Sequence, residues 1–108
     1  MITASISYNH ELWELSLKVE GHAGYAEEGK DIVCASASIL AYTLAQMLSY
    51  FGERVEADIN LEIGNTTILC KCRDFNIFVK AVHAFHFAET GYQLLAHNYP
   101  QYVRLIEP

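Results

Sequence analysis

The stretch RVEADINLEIGNTTILCKCR, residues 54–73, decides the fold. Its first half alternates with a two-residue period. Val55, Ala57, Ile59, Leu61 and Ile63 share one face, and charged or polar side chains fill most of the other, which is the pattern of a strand with one apolar face. Gly64-Asn65 is a hairpin turn signal, and residues 66–73 return as the partner strand. An apolar sheet face needs a cover, so the flanking segments must supply it.

They do so with a different period. On the N-terminal side, residues 32–51 carry Leu40, Leu44, Met47, Leu48 and Phe51 at helical spacing, and Gly52 ends the run. On the C-terminal side, Asp74 or Asn76 can cap a helix over residues 75–97. One stripe of that helix is Phe78, Val82, Phe85 and Leu95. A second row, Ile77, Ala81, Ala84 and Ala88, makes more than half its circumference apolar. Pro100 lies past its end, and residues 102–106 suit a short final strand. Before the first helix, residues 2–8 alternate Ile2, Ala4, Ile6 and Tyr8 with Thr3, Ser5 and Ser7. Asn9-His10 reads as a short turn and residues 11–20 as a second strand, giving another hairpin. The expected architecture is α+β. One mainly antiparallel sheet is built from two β-hairpins, with two long helices packed on it, in the order ββαββα with a short final strand. All of it falls in a single domain over residues 1–108.

Composition narrows the function. Hydrophobic residues are 52% of the 108 and charged ones 19%, which excludes a disordered chain. So much apolar surface on a small domain predicts a self-association face. The formal charge is −6 and no basic run occurs, which argues against direct nucleic-acid binding and favours a basic protein or peptide partner. Three cysteines, Cys34, Cys70 and Cys72, with no recognisable signal peptide, argue against a secreted disulfide scaffold. Apolar runs stop short of a membrane span, so the expectation is a cytoplasmic protein with reduced thiols and no membrane contact.

The chemistry concentrates in GHAGYAEEGKDIVCASASIL, residues 21–40. Gly21, Gly24 and Gly29 break residues 21–31 into a loop. Cys34 falls in the first turn of the first helix, where unpaired amides and the helix dipole favour an anion, here the nucleophilic thiolate. His22 sits at the other end of the loop, within folding reach as general base and later as acid to the leaving amine. Backbone N–H groups of Cys34 and Ala35 at the helix start could stabilise an oxyanion. Asp31 can cap the helix or orient His22; set against the thiolate it would oppose reactivity. Ser38, one turn beyond Cys34, can contact substrate or histidine. The same residues also read as a small core cysteine, a solvated loop histidine and a surface serine, and the spacing leaves both readings open.

The runs G-H-A-G-Y-A and G-K-D-I-V-C-A-S-A-S resemble the ribosomal-processing cysteine protease family, Prp, and the likeness extends over the whole chain. The resemblance implies a cytoplasmic bacterial endopeptidase, working as a homodimer without a cofactor. Such proteases remove the N-terminal extension of a large-subunit ribosomal protein (protein twenty-seven). The extension ends in an apolar, Phe-Phe-containing segment ahead of the basic mature N-terminus. The resemblance places the family's histidine on His22 and its nucleophile on Cys34 as a dyad, with Asp31 and Ser38 as lesser members. It makes the loop of Gly21, Gly24, Tyr25 and Gly29 a gate that orders around substrate. Tyr25, Tyr42, Tyr50 and Phe51 offer aromatic surface for bulky substrate residues, or else core packing.

Two other readings are carried. A ribosome-associated assembly factor without enzymatic activity would bind the same tail. A zinc site from Cys70, Cys72, His83 and His86 has no familiar ligand spacing, so no metal is expected.

Overall fold

In the computed structural model, residues 1–27 and 29–106 are described. Glu28, inside the loop, lies outside them. The elements run β1 (Ile2–Asn9), β2 (Glu14–Glu20), α1 (Ile32–Ser49), a single 3₁₀ turn (Gly52–Arg54), β3 (Val55–Glu62), β4 (Asn65–Cys72), α2 (Phe75–Asn98) and β5 (Val103–Ile106). The strands form one sheet ordered β3-β4-β2-β1-β5. All neighbours are antiparallel except β5, which runs parallel to β1 with Ile2 opposite Val103. The expected α+β arrangement of two hairpins and two helices is what forms, final strand included.

Both helices lie on one sheet face. Beneath them are Ile2, Ala4 and Ile6 of β1, Leu15, Leu17 and Val19 of β2, and Ile68, Cys70 and Cys72 of β4, all buried. α1 presents Val33, Ala37, Ala41, Leu44, Ala45 and Leu48 to this core. By length and apolarity alone α1 could cross a membrane; here that face packs on the sheet. α2 contributes both of its expected apolar rows, with Val82 only half-buried. Phe78, Phe85 and Tyr92 are fully buried, each adding roughly 1.5–3 kcal/mol of hydrophobic stabilisation. The Tyr92 hydroxyl donates to the Ala37 carbonyl at 2.8 Å, satisfying its polar tip and tying the helices together.

Three local readings are corrected. The first turn is longer than Asn9-His10. Asn9 Oδ1 accepts the N–H groups of Glu11 and Leu12, and this side-chain turn delays β2 to Glu14. The second hairpin turns on Ile63-Gly64, with Glu62 opposite Asn65. Gly64 takes φ +85° at the second turn position, as a type II turn requires, so Asn65 returns to extended backbone. The third concerns the apolar face of β3, for which the flanking segments were expected to supply cover. As an edge strand it stays largely exposed, with Ile59 at 39%.

Candidate active site

The site follows from strand register. Glu20, the last residue of β2, pairs with Asn65, the first of β4. The chain leaving β2 therefore emerges beside the Ile63-Gly64 turn. Gly21, at φ +88°, donates its N–H to the Gly64 carbonyl at 3.0 Å. His22 follows at once, and its carbonyl accepts from the Met1 nitrogen. Its ring lies against the hairpin tip, where Gly64 lacks a side chain. A Cβ there would fall 2.7 Å from His22 Nε2.

The loop then returns to α1 through Asp31. Asp31 is the N-cap, and its Oδ1 accepts the N–H groups of Val33 and Cys34, each at 3.0 Å. Its Oδ2 accepts from Tyr25 at 3.0 Å and Ala26 at 3.3 Å. One carboxylate thus starts the helix and folds the loop onto it. Burial alone would push this carboxyl up. The amides of Cys34, Ala26, Tyr25 and Val33 outweigh burial and hold it below its ordinary range. A depressed folded value means its contribution is present above the unfolded value of about 3.9 and is lost as pH falls through the folded one. Asp31→Ala is expected to lose about 2 kcal/mol. Asp31→Asn should lose less, because its amide oxygen still caps α1, but it should release the Tyr25 and Ala26 amides. Hydrogen exchange reads this directly: slow exchange at both amides in Asp31→Asn would contradict the assignment.

Cys34 lies in the first turn of α1, half-buried, where the sequence placed it. Its Sγ accepts the N–H of Ala23 at 3.4 Å. Cys34, His22 and Ser38 line one shared cleft. An inner part of about 30 Å³ reaches down to Ile2, Ala37 and Thr66. A wider part of about 630 Å³ opens past Gly24, Ala26, Gly29, Asp31 and Ala35 to Ile63. Imidazole and thiol do not hydrogen-bond to each other among the described residues, although both face the same space.

Several expectations need revision. The Cys34 and Ala35 amides are not free for an oxyanion. The first is used by Asp31 Oδ1, and the second donates to the Asp31 main-chain carbonyl at 3.0 Å. Asp31 acts as cap and loop anchor, and none of its hydrogen bonds reaches His22. Tyr25 does not line the cleft; its ring packs edge-on against Tyr99 and Tyr102, with centroids 5.7 and 5.2 Å away. Tyr50 is 73% exposed and, at a rise of about 1.5 Å per residue, sits far down α1 from Cys34 with Phe51. Sequence reasoning missed Ile63 and Gly64 as a wall of the cleft. Only the β2–β4 pairing brings them there, and no local pattern announces it.

The other thiols differ in kind. Cys70 and Cys72 are buried, with sulfurs 4.0 Å apart. Burial, the neighbouring Cys72 and their hydrogen bond push the Cys70 thiol up to about 12, and burial raises Cys72 too. His83 and His86 are exposed on α2, where His86 meets Tyr8 edge-on with ring centroids 5.1 Å apart. Iodoacetamide is therefore expected to label Cys34 in the folded protein and the other two only on unfolding. Mass mapping that finds all three labelled at one rate would contradict this.

Comparison with known proteins identifies the family. A family model described as cysteine protease Prp matches residues 1–104. The ribosomal processing cysteine protease Prp of Bacillus subtilis (strain 168) is 40% identical over 42 residues, which are 39% of this chain and 38% of that protein. An essential ribosomal processing protease Prp from S. aureus, solved with a covalently linked product peptide, superposes with a TM-score of 0.78 at 26% identity over 100% of both chains. The same S. aureus protease with a substrate peptide gives 0.73 at 25% identity, again over 100% of both chains. With the model spanning nearly its whole length and the fold shared end to end, this chain belongs to the cysteine protease Prp family.

Proposed function

We propose that this protein is a cysteine endopeptidase that removes the N-terminal extension of large-subunit ribosomal protein twenty-seven, with Cys34 as nucleophile and His22 as general base and acid. The observation that carries the reading is the cleft itself. A half-buried thiol at a helix start, already receiving a backbone N–H, shares it with an imidazole that lies against the Ile63-Gly64 hairpin tip. The chemistry then runs in two halves. His22 takes the thiol proton, Sγ attacks the scissile carbonyl carbon, and the C=O electron pair moves to oxygen. Collapse of the adduct breaks the C–N bond, and His22 gives its proton to the departing amine. Water, deprotonated by His22, attacks the thioester and frees the acid and the thiol.

Related S. aureus structures hold a substrate peptide and a covalently linked product peptide, which supports a peptide substrate. The net charge of −6 suits a basic tail, drawn in by long-range attraction. Ile63, 65% exposed on the rim, offers an apolar contact for the extension. Ser38, which lines the cleft, would touch substrate, and Gly24 and Gly29 of the loop would border it. A homodimer in the cytoplasm completes the reading. Exposed Ile32, Ile39 and Tyr42 on α1 and Ile59 on β3 supply apolar surface for a second copy.

The test is a peptide spanning the tail junction, incubated with the purified protein. Cleavage into an extension fragment and a basic remainder is expected. Binding without cleavage would overturn the protease and favour an assembly factor.

A further inference from the structure

We propose that the main-chain N–H of Ala23 is the oxyanion donor of the cleavage step, which rests on Cys34 being the nucleophile as argued above. Three of the amides at the helix start are spent. Those of Val33 and Cys34 donate to Asp31 Oδ1, and that of Ala35 to the Asp31 carbonyl, all at 3.0 Å. The amide that does face the sulfur comes from the loop after β2, where Ala23 N–H points at Cys34 Sγ from 3.4 Å. Its direction is fixed from both sides. The Ala23 methyl is buried at 5% exposure. Before it, Gly21 is bonded to Gly64 and the His22 carbonyl to the Met1 nitrogen; after it, Tyr25 and Ala26 are bonded to Asp31.

Such a donor is held beside the sulfur before the reaction begins, and only a small shift is asked of it. When the S–C bond forms and the carbonyl electron pair moves to oxygen, the negative charge shifts from sulfur to an atom two bonds away. A donor already aimed at Sγ can follow it there, to the distance of about 2.7–3.1 Å at which oxyanion donors act. As the adduct collapses, the pair returns to the C=O bond, the C–N bond breaks with its electrons on nitrogen, and the proton held by His22 goes to that amine. The same N–H therefore serves thiolate and oxyanion in turn, and Asp31 acts at a distance by fixing the loop that presents it.

The test replaces Ala23 with lactic acid, exchanging one N–H for an ester oxygen while keeping the methyl group. For the junction peptide, kcat is expected to fall about 10²–10³-fold with KM little changed. A peptide aldehyde, which forms a tetrahedral adduct with Cys34, should weaken by the same factor, whereas the matching peptide alcohol should bind as before. Unchanged kcat and aldehyde affinity in the ester protein would overturn the proposal. A second measurement needs no variant: in the unmodified ¹⁵N-labelled protein, the Ala23 amide proton should move downfield on adding the aldehyde and not on adding the alcohol. A resonance that stays in place overturns it equally. If the unmodified protein binds the peptide and never cleaves it, the protease reading itself fails, an outcome separate from these.

Discussion

Cys34→Ala is expected to abolish peptide cleavage, and His22→Ala to lower kcat by about 10³-fold or more. The two losses have different physical origins. Alanine at position 34 removes the atom that bonds to the substrate, and the cleft offers no second thiol, since Cys70 and Cys72 lie buried beneath the helices. Alanine at position 22 leaves the sulfur but removes the group that carries its proton to the leaving amine. Imidazole added to the buffer should therefore restore part of the His22→Ala activity and none of the Cys34→Ala activity. Neither substitution removes much packing: His22 is exposed, and Cys34, half-buried at the edge of the core, loses only its sulfur, so both variants should unfold close to the parent temperature. Full activity in either variant, with folding intact, would remove that residue from the mechanism. The double variant should lose no more than Cys34→Ala alone, because residues acting as one unit are not additive.

The second large effect is expected at a residue that does no chemistry. Gly64→Ala should lower kcat about 10²-fold, the order of loss that follows a misplacement of about 1 Å. The added Cβ would fall 2.7 Å from His22 Nε2 and 2.9 Å from its Cε1. The imidazole, being a side chain, gives way more easily than the sheet, so the turn survives while the ring leaves its position. Position 64 also has φ +85°, which alanine adopts at a cost of roughly 1–2 kcal/mol. Gly64→Asn separates the two causes, because asparagine tolerates this backbone but still carries a Cβ. Stability should partly recover in Gly64→Asn while kcat stays low. If kcat recovers along with the melting temperature, the glycine serves the turn only and does not position His22.

How much of this was legible depended on range along the chain. A helix beginning near Ile32 with Cys34 in its first turn is a local fact, set by Asp31 as cap and the apolar stripe that follows, and it was readable. The same cap hid its consequence. An aspartate that starts a helix occupies the very amides that would otherwise hold an oxyanion, and only the hydrogen bonds reveal that Val33 and Cys34 are spent on it. Turns failed by one to three residues because a side chain or a single dihedral decides them: Asn9 Oδ1 at the first, Gly64 at the second. The hairpin wall of the cleft was illegible for a different reason. Gly64 and His22 are brought together by the pairing of β2 with β4, a long-range register that neither segment encodes alone. Tyr25 shows the same limit, since its partners Tyr99 and Tyr102 lie beyond α2.

That Cys34 itself attacks the peptide is tested most directly by trapping the acyl-enzyme. An ester analogue of the junction peptide is mixed with the protein, quenched in acid within the first turnover, and the protein mass is measured before and after digestion. The expected result is a single adduct with the mass of the N-terminal fragment, carried on the proteolytic peptide that contains Cys34 and absent from Cys34→Ala. Turnover with no adduct, or an adduct on any other residue, would contradict the account.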